Sequence, residues 1–216
     1  MLHAFKAHKI RDGIRNELWN SEDAKTSSII GTLSHLPARL FWSILYNAVT
    51  VKTGLTTPNE IHEMVQIEFW PHWKLEHKVE PDVFIQFDSF DLILELKRND
   101  DNKQYREQWL NEITAYKKAY SDTEKKFCLI AISGKTEVTD DNVYSCSWTA
   151  LLNATVKCKE TLSLLHPHSH EVRILEDAVK AFYIHREYAY RYFDSIDYTP
   201  EKYSISEHND LFKTLK

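Results

Sequence analysis

Apolar and polar residues alternate with a period of two over three successive stretches, Met64–Trp70, Asp82–Asp88 and Phe90–Lys97, and each predicts a half-buried β-strand. Upstream, "NSEDAKTSSIIGTLSHL" predicts a helix capped by Asn20 or Ser21. Glu22 and Asp23 fall in its first turn, where the helix dipole favours negative charge. Pro37 starts a second helix, "PARLFWSILYNAV". Residues 1–20 carry an amphipathic helical pattern on Phe5, Ile10, Ile14, Leu18 and Trp19. After the three strands the period becomes helical, with Tyr105, Trp109, Ile113, Tyr116 and Tyr120 on one stripe. "KKFCLIAIS" is the continuous apolar run of a buried strand, and "NVYSCSW" a further short one. "WTALLNATVKC" reads as a helix, "HPHSHE" as a loop, residues 171–193 as a long Tyr-rich helix, and the last twenty residues as irregular or weakly helical.

Three consecutive strands predict an antiparallel meander, and the strand beyond the helix adds to it in parallel through a crossover. Helices on both faces of such a mixed central sheet make a three-layer α/β/α domain. The chain reads as a single domain over 1–216, with a core over about 21–160 and a C-terminal helical extension over about 161–216.

The hairpin between the second and third strands has a definite register. Centring the turn on Asp88–Ser89 pairs Val83 with Leu94, Ile85 with Leu92 and Phe87 with Phe90, all apolar, on one buried face. The same register sets Asp82 opposite Glu95 on the other face, with Phe84 opposite Ile93 and Gln86 opposite Asp91. Lys97 shares the Asp82 face, because side chains two apart in a strand point the same way. A turn one residue longer or shorter pairs apolar with polar throughout.

Like charges directly opposed on a sheet are destabilising unless something offsets them. A divalent cation does so. Magnesium in particular binds through one or two carboxylates, completed by water and phosphate oxygens. A solvated Glu95–Lys97 pair beside a turn-capping Asp82 is the plainer reading of the same residues.

Pro81–Asp82 and, twelve residues on, Glu95-Leu96-Lys97 resemble the signature of the PD-(D/E)XK nuclease superfamily, in the expected helix–three strands–helix–strand context over roughly residues 21–132. The resemblance implies a restriction-endonuclease-like core and a Mg2+-dependent nuclease, with Mn2+ as a substitute. It further implies DNA as partner with RNA open, and a place in restriction, phage defence, transposition or repair. By this resemblance Asp82 and Glu95 bind metal and Lys97 assists the attacking water. Many members add an acidic residue on the first core helix, for which Glu22 is the candidate, its other role being that of a first-turn residue. A glutamine after the motif is frequent, and Gln108 fits, with Gln104 as its rival. Glu80 is either an outer carboxylate or simply exposed.

Charge and composition refine this picture. Lys97, Arg98, Lys103, Arg106, Lys117 and Lys118 cluster around the motif and the helix after it; they are either phosphate contacts, with Arg98, Lys103 and Arg106 as the candidates, or, more commonly, simply the solvated face of that helix. The net charge of -5 gives no overall basic footprint, and four glycines carry neither a P-loop nor a dinucleotide fingerprint. Three cysteines without CxxC spacing read as free thiols. His166, His168 and His170 lack the spacing of a metal site and read as a solvated loop. With no signal peptide and no membrane-length apolar run, the expectation is a soluble cytoplasmic protein, with a homodimer or a protein partner in a larger complex open. The second class of function is a non-catalytic nuclease-fold subunit or scaffold, favoured by the aromatic "FYIHREYAYRYF".

Overall fold

The computed structural model describes residues 21–75, 78–98, 104–133 and 141–188. The helix read over 1–20 and the irregular tail lie outside them. Helix α1 (Glu22–Leu33) is capped by Ser21, whose hydroxyl accepts from the Ala24 N–H at 3.2 Å. Helix α2 (Ala38–Ala48) follows Pro37, and a 3-10 turn at Pro58–Glu60 leads to the first strand.

Strands β1 (Met64–Phe69), β4 (Val83–Phe87), β5 (Phe90–Leu96), β6 (Lys126–Ile132) and β7 (Val143–Cys146) form one five-stranded sheet in the order β1-β4-β5-β6-β7. The first two pairings are antiparallel and the last two parallel, so the sheet is mixed. A separate small hairpin, β2 (Trp73–Lys74) with β3 (Lys78–Val79), sits between β1 and β4. Two-residue strands are too short to show a period, so sequence periodicity passes over them. Helix α3 (Arg106–Ala119) makes the crossover to β6. Helices α4 (Trp148–Leu165) and α5 (His170–Ile184) complete the described chain.

The hairpin register is the one that the apolar pattern selects: Val83 pairs with Leu94, Phe84 with Ile93, Ile85 with Leu92 and Gln86 with Asp91. The Phe87 and Phe90 rings stack at 4.8 Å where the turn begins. Val83, Ile85, Phe87, Phe90, Leu92 and Leu94 enter the larger core, together with residues of α1, α2, α4 and α5. Phe84 and Ile93 enter a smaller core under α3, with Trp109, Ile113 and Tyr116. Both faces of β4 and β5 are therefore covered, which makes the Asp82 face an interior one. Helix α4 runs unbroken through position 160, and Leu175, Ala178 and Phe182 of α5 belong to the larger core.

Two elements differ from the periodicity. The Tyr-rich helix ends at Ile184 and does not run to 193; Arg186, with φ of 64°, reverses the backbone just beyond. Tyr105, placed by its spacing on the buried stripe of α3, is 61% exposed, because it is the cap before the first turn. Among the described residues no helix is long and apolar enough to cross a membrane.

Candidate metal and catalytic site

The candidate residues gather at the end of β5. Asp82 lies just before β4, and its Oδ2 accepts the Leu96 N–H at 2.7 Å, which ties the aspartate to the strand holding Glu95. Its carbonyl accepts from Trp70, the residue that closes β1 with a left-handed φ of 51°. Glu95 is 1% exposed, and its Oε1 accepts from Gln108 Nε2 at 2.7 Å and from the Lys97 ammonium.

The register thus brings Asp82, Glu95 and Lys97 together, and α3 brings Gln108 onto them. The rival Gln104 is structural: its Nε2 donates to Ser133 O at 3.1 Å and its Oε1 accepts from Trp109 Nε1 at 3.0 Å.

Glu112 joins this group without having been singled out by the motif. It is 1% exposed and lies in hydrogen-bonding reach of Glu95 and Gln108, while its Oε2 has no hydrogen-bond partner among the described residues. The signal was present in the sequence, because Glu112 follows Gln108 by four positions and so shares its helix face.

The electrostatics follow from three carboxyl groups in little water. Burial, then the Glu95 charge, pushes Asp82 up to about 8. Burial raises Glu95 in the same direction, against the pull of Lys97. Burial and Glu95 hold the Glu112 carboxyl well above the usual carboxylate range. At Lys97 burial works to lower the pKa, but Glu95, with Glu22 and Asp82 behind it, outweighs burial, and the ammonium is held above its ordinary value.

Glu22 begins α1, with its side chain 32% exposed. Its Oε2 accepts the Arg98 N–H at 2.8 Å, and its Oε1 stands 3.8 Å from Lys97 Nζ. The residue is therefore both in the first turn of a helix and at the site. If the group around Glu95 is a catalytic metal site, Glu22→Gln should lower turnover by about tenfold, as outer-shell changes at metal sites do, while costing the fold no more than about 1 kcal/mol. Cleavage rate and Tm measured on one preparation decide it. Full activity with a lowered Tm would return Glu22 to a helix-dipole role.

The other candidates sort by position. Arg98 directly follows Lys97 and is half-buried, and Arg106 is exposed at the start of α3. Lys117 and Lys118 lie in the last turn of α3, about 17 Å along the helix from Arg106, so the basic cluster divides between two ends. Lys103 lies outside the described residues. Glu80 is engaged away from the site by His72 Nδ1 at 2.6 Å and Lys78 Nζ at 2.5 Å. His166, His168 and His170 surround the exposed start of α5. Cys128 and Cys146 are buried thiols and Cys158 a half-buried one.

Among the described residues no three His, Cys, Asp or Glu side chains converge as a ready cage for a metal ion. The donor set offered by Asp82 and Glu95 is oxygen-only, with negative charge that burial and proximity make unfavourable. That combination fits magnesium, which takes one or two carboxylates and leaves its other positions to water and substrate. No protein-family model matches the chain, and no curated protein is significantly similar to it.

Proposed function

We propose that the protein is a magnesium-dependent nuclease on a restriction-endonuclease-like core, hydrolysing phosphodiester bonds in DNA, with manganese able to replace magnesium. The observation that carries this reading is the convergence of Asp82, Glu95 and Lys97 at the end of one hairpin, on a face closed over by α3. Asp82 and Glu95 would hold the cation, with Glu22 as the third, outer carboxylate. Such an ion lowers the pKa of water and offsets charge on the phosphate.

The remaining work falls to side chains of this chain. Gln108 fixes the Glu95 carboxylate by its 2.7 Å hydrogen bond. Lys97 presents a positive charge where negative charge grows on the reacting phosphate. Arg98 and Arg106, with Lys103 between them in sequence, supply cationic contacts to neighbouring phosphates.

The test uses the full chain on plasmid, linear duplex and single-stranded DNA and on RNA, alone and with candidate protein partners. Cleavage is expected with magnesium or manganese and none with chelator. Cleavage of RNA alone would move the substrate class and keep the chemistry. Inactivity on every substrate would replace the nuclease with a scaffold on the same sheet, acting as a homodimer or within a larger complex.

A further inference from the structure

We propose that Lys25, acting with Trp148 and Glu187, is a positioning residue for the Lys97–Arg98 peptide, which makes the two C-terminal helices part of the catalytic device. The inference rests on the nuclease reading of Lys97. Lys25 is 2% exposed, an unusual place for an ammonium group, which is costly to bury unless paired and hydrogen-bonded. Its Nζ donates to the carbonyl of Arg98 at 2.7 Å and to Glu187 Oε1 at 2.6 Å, and it stands 4.3 Å above the Trp148 ring. Trp148 in turn donates its Nε1–H to the carbonyl of Lys97 at 2.7 Å.

Four backbone groups of two successive residues are accounted for in this way. The Lys97 N–H goes to Ile132 O at 3.0 Å, its carbonyl to Trp148, the Arg98 N–H to Glu22 and its carbonyl to Lys25. The strand has ended at Leu96, so three of the four are held by side chains from α1 and α4 and not by the sheet. Glu187, just past α5, holds Lys25 in turn.

Stability alone is a poor explanation for this arrangement, since a buried ion pair is commonly matched or bettered by apolar residues of the same volume. What it does provide is a fixed origin for the long Lys97 side chain. Misplacing a reacting group by about 1 Å costs on the order of a hundredfold in rate.

The experiment compares the full-length wild type with Lys25→Met and Glu187→Gln. Amide hydrogen exchange is read at Lys97 and Arg98, with the β6 amides as the internal reference. Exchange at Lys97 and Arg98 is expected to rise at least about tenfold in both variants while β6 is unchanged. kcat should fall about tenfold or more, with KM for DNA and the magnesium-dependent rise in Tm unchanged.

Unchanged exchange at the two amides would overturn the anchoring, and faster exchange with unchanged kcat would overturn its catalytic purpose. Glu187 is half-buried at the end of the network, so its variant carries the same measurements if Lys25→Met does not fold. A wild type inactive on every nucleic acid would overturn the nuclease reading instead, while exchange at Lys97 and Arg98 would still decide whether Lys25 anchors this peptide.

Discussion

The Lys97→Ala protein should cleave about a hundred- to a thousandfold more slowly than wild type, the scale on which removing a group that stabilises transition-state charge is felt. Its magnesium-dependent rise in Tm should survive. The two expectations separate because a protonated lysine has no lone pair with which to ligate a cation. Burial works against the charge on Lys97, yet its carboxylate neighbours keep the ammonium protonated above its ordinary range, so near neutral pH it acts as a cation and not as a base. On the nuclease reading, its removal takes away a charge needed when the phosphate reacts, and the loss should appear in kcat before KM. Removing it also leaves Asp82 and Glu95 less neutralised, which favours metal binding. The checks are single-turnover cleavage and a thermal-shift titration with magnesium. A variant that cleaves at the wild-type rate, or that loses the metal-dependent shift, would remove Lys97 from the role assigned to it.

In chelator, the wild-type protein should lose stability as pH rises from about 6.5 to about 8. The sign follows from the carboxyl groups. Asp82 titrates near 8 in the folded protein against an ordinary 3.8, and Glu95 and Glu112 are shifted the same way. The folded state therefore holds protons that the unfolded chain has already released, and its advantage disappears as pH climbs toward the folded value.

His185 acts in the opposite sense. Burial and then Lys25 push it down to about 4 from 6.5, so it adds stability as pH rises through that lower interval. Starting near 6.5 keeps most of its contribution out of the measurement, leaving about 0.4 kcal/mol of opposite sign. Release of one proton over the upper window amounts to about 2 kcal/mol, or a fall in Tm of roughly 4–8 °C for a chain of this size. Magnesium should reverse the fall, and Asp82→Asn should both flatten it and abolish the reversal. The Asn side chain retains an oxygen for the Leu96 N–H, so this variant should fold. A Tm in chelator that is flat or rising across the window would contradict the placement of these groups in one dry pocket.

The sheet was legible because its alternation is strict. Six apolar residues over Val83–Leu94 admit one register, and that register alone sets Asp82 beside Glu95. Gln108 and Gln104 could not be told apart on spacing, since both lie close to the apolar stripe. The difference is that Gln104 precedes the helix and satisfies Ser133 and Trp109 instead. Glu112 was hidden because a carboxyl group on the inner face of a helix is read as solvated until something buried is found opposite it. Lys25 was hidden for the same reason, and its partners lie 73 and 162 residues away in sequence. Local pattern carries periodicity; it does not carry contacts closed over such separations.

The Lys25–Glu187 pair has a consequence for how the molecule comes into being. A chain synthesised only through α3 already carries Asp82, Glu95, Lys97 and Gln108, but lacks both Trp148 and the carboxylate that holds Lys25. Contacts between residues so distant in sequence form late, since loop closure precedes any gain from them. The Lys97–Arg98 peptide at the end of β5 is thus set only when α4 and α5 dock, so the nascent polypeptide carries Asp82, Glu95 and Lys97 before it can hold that peptide in place.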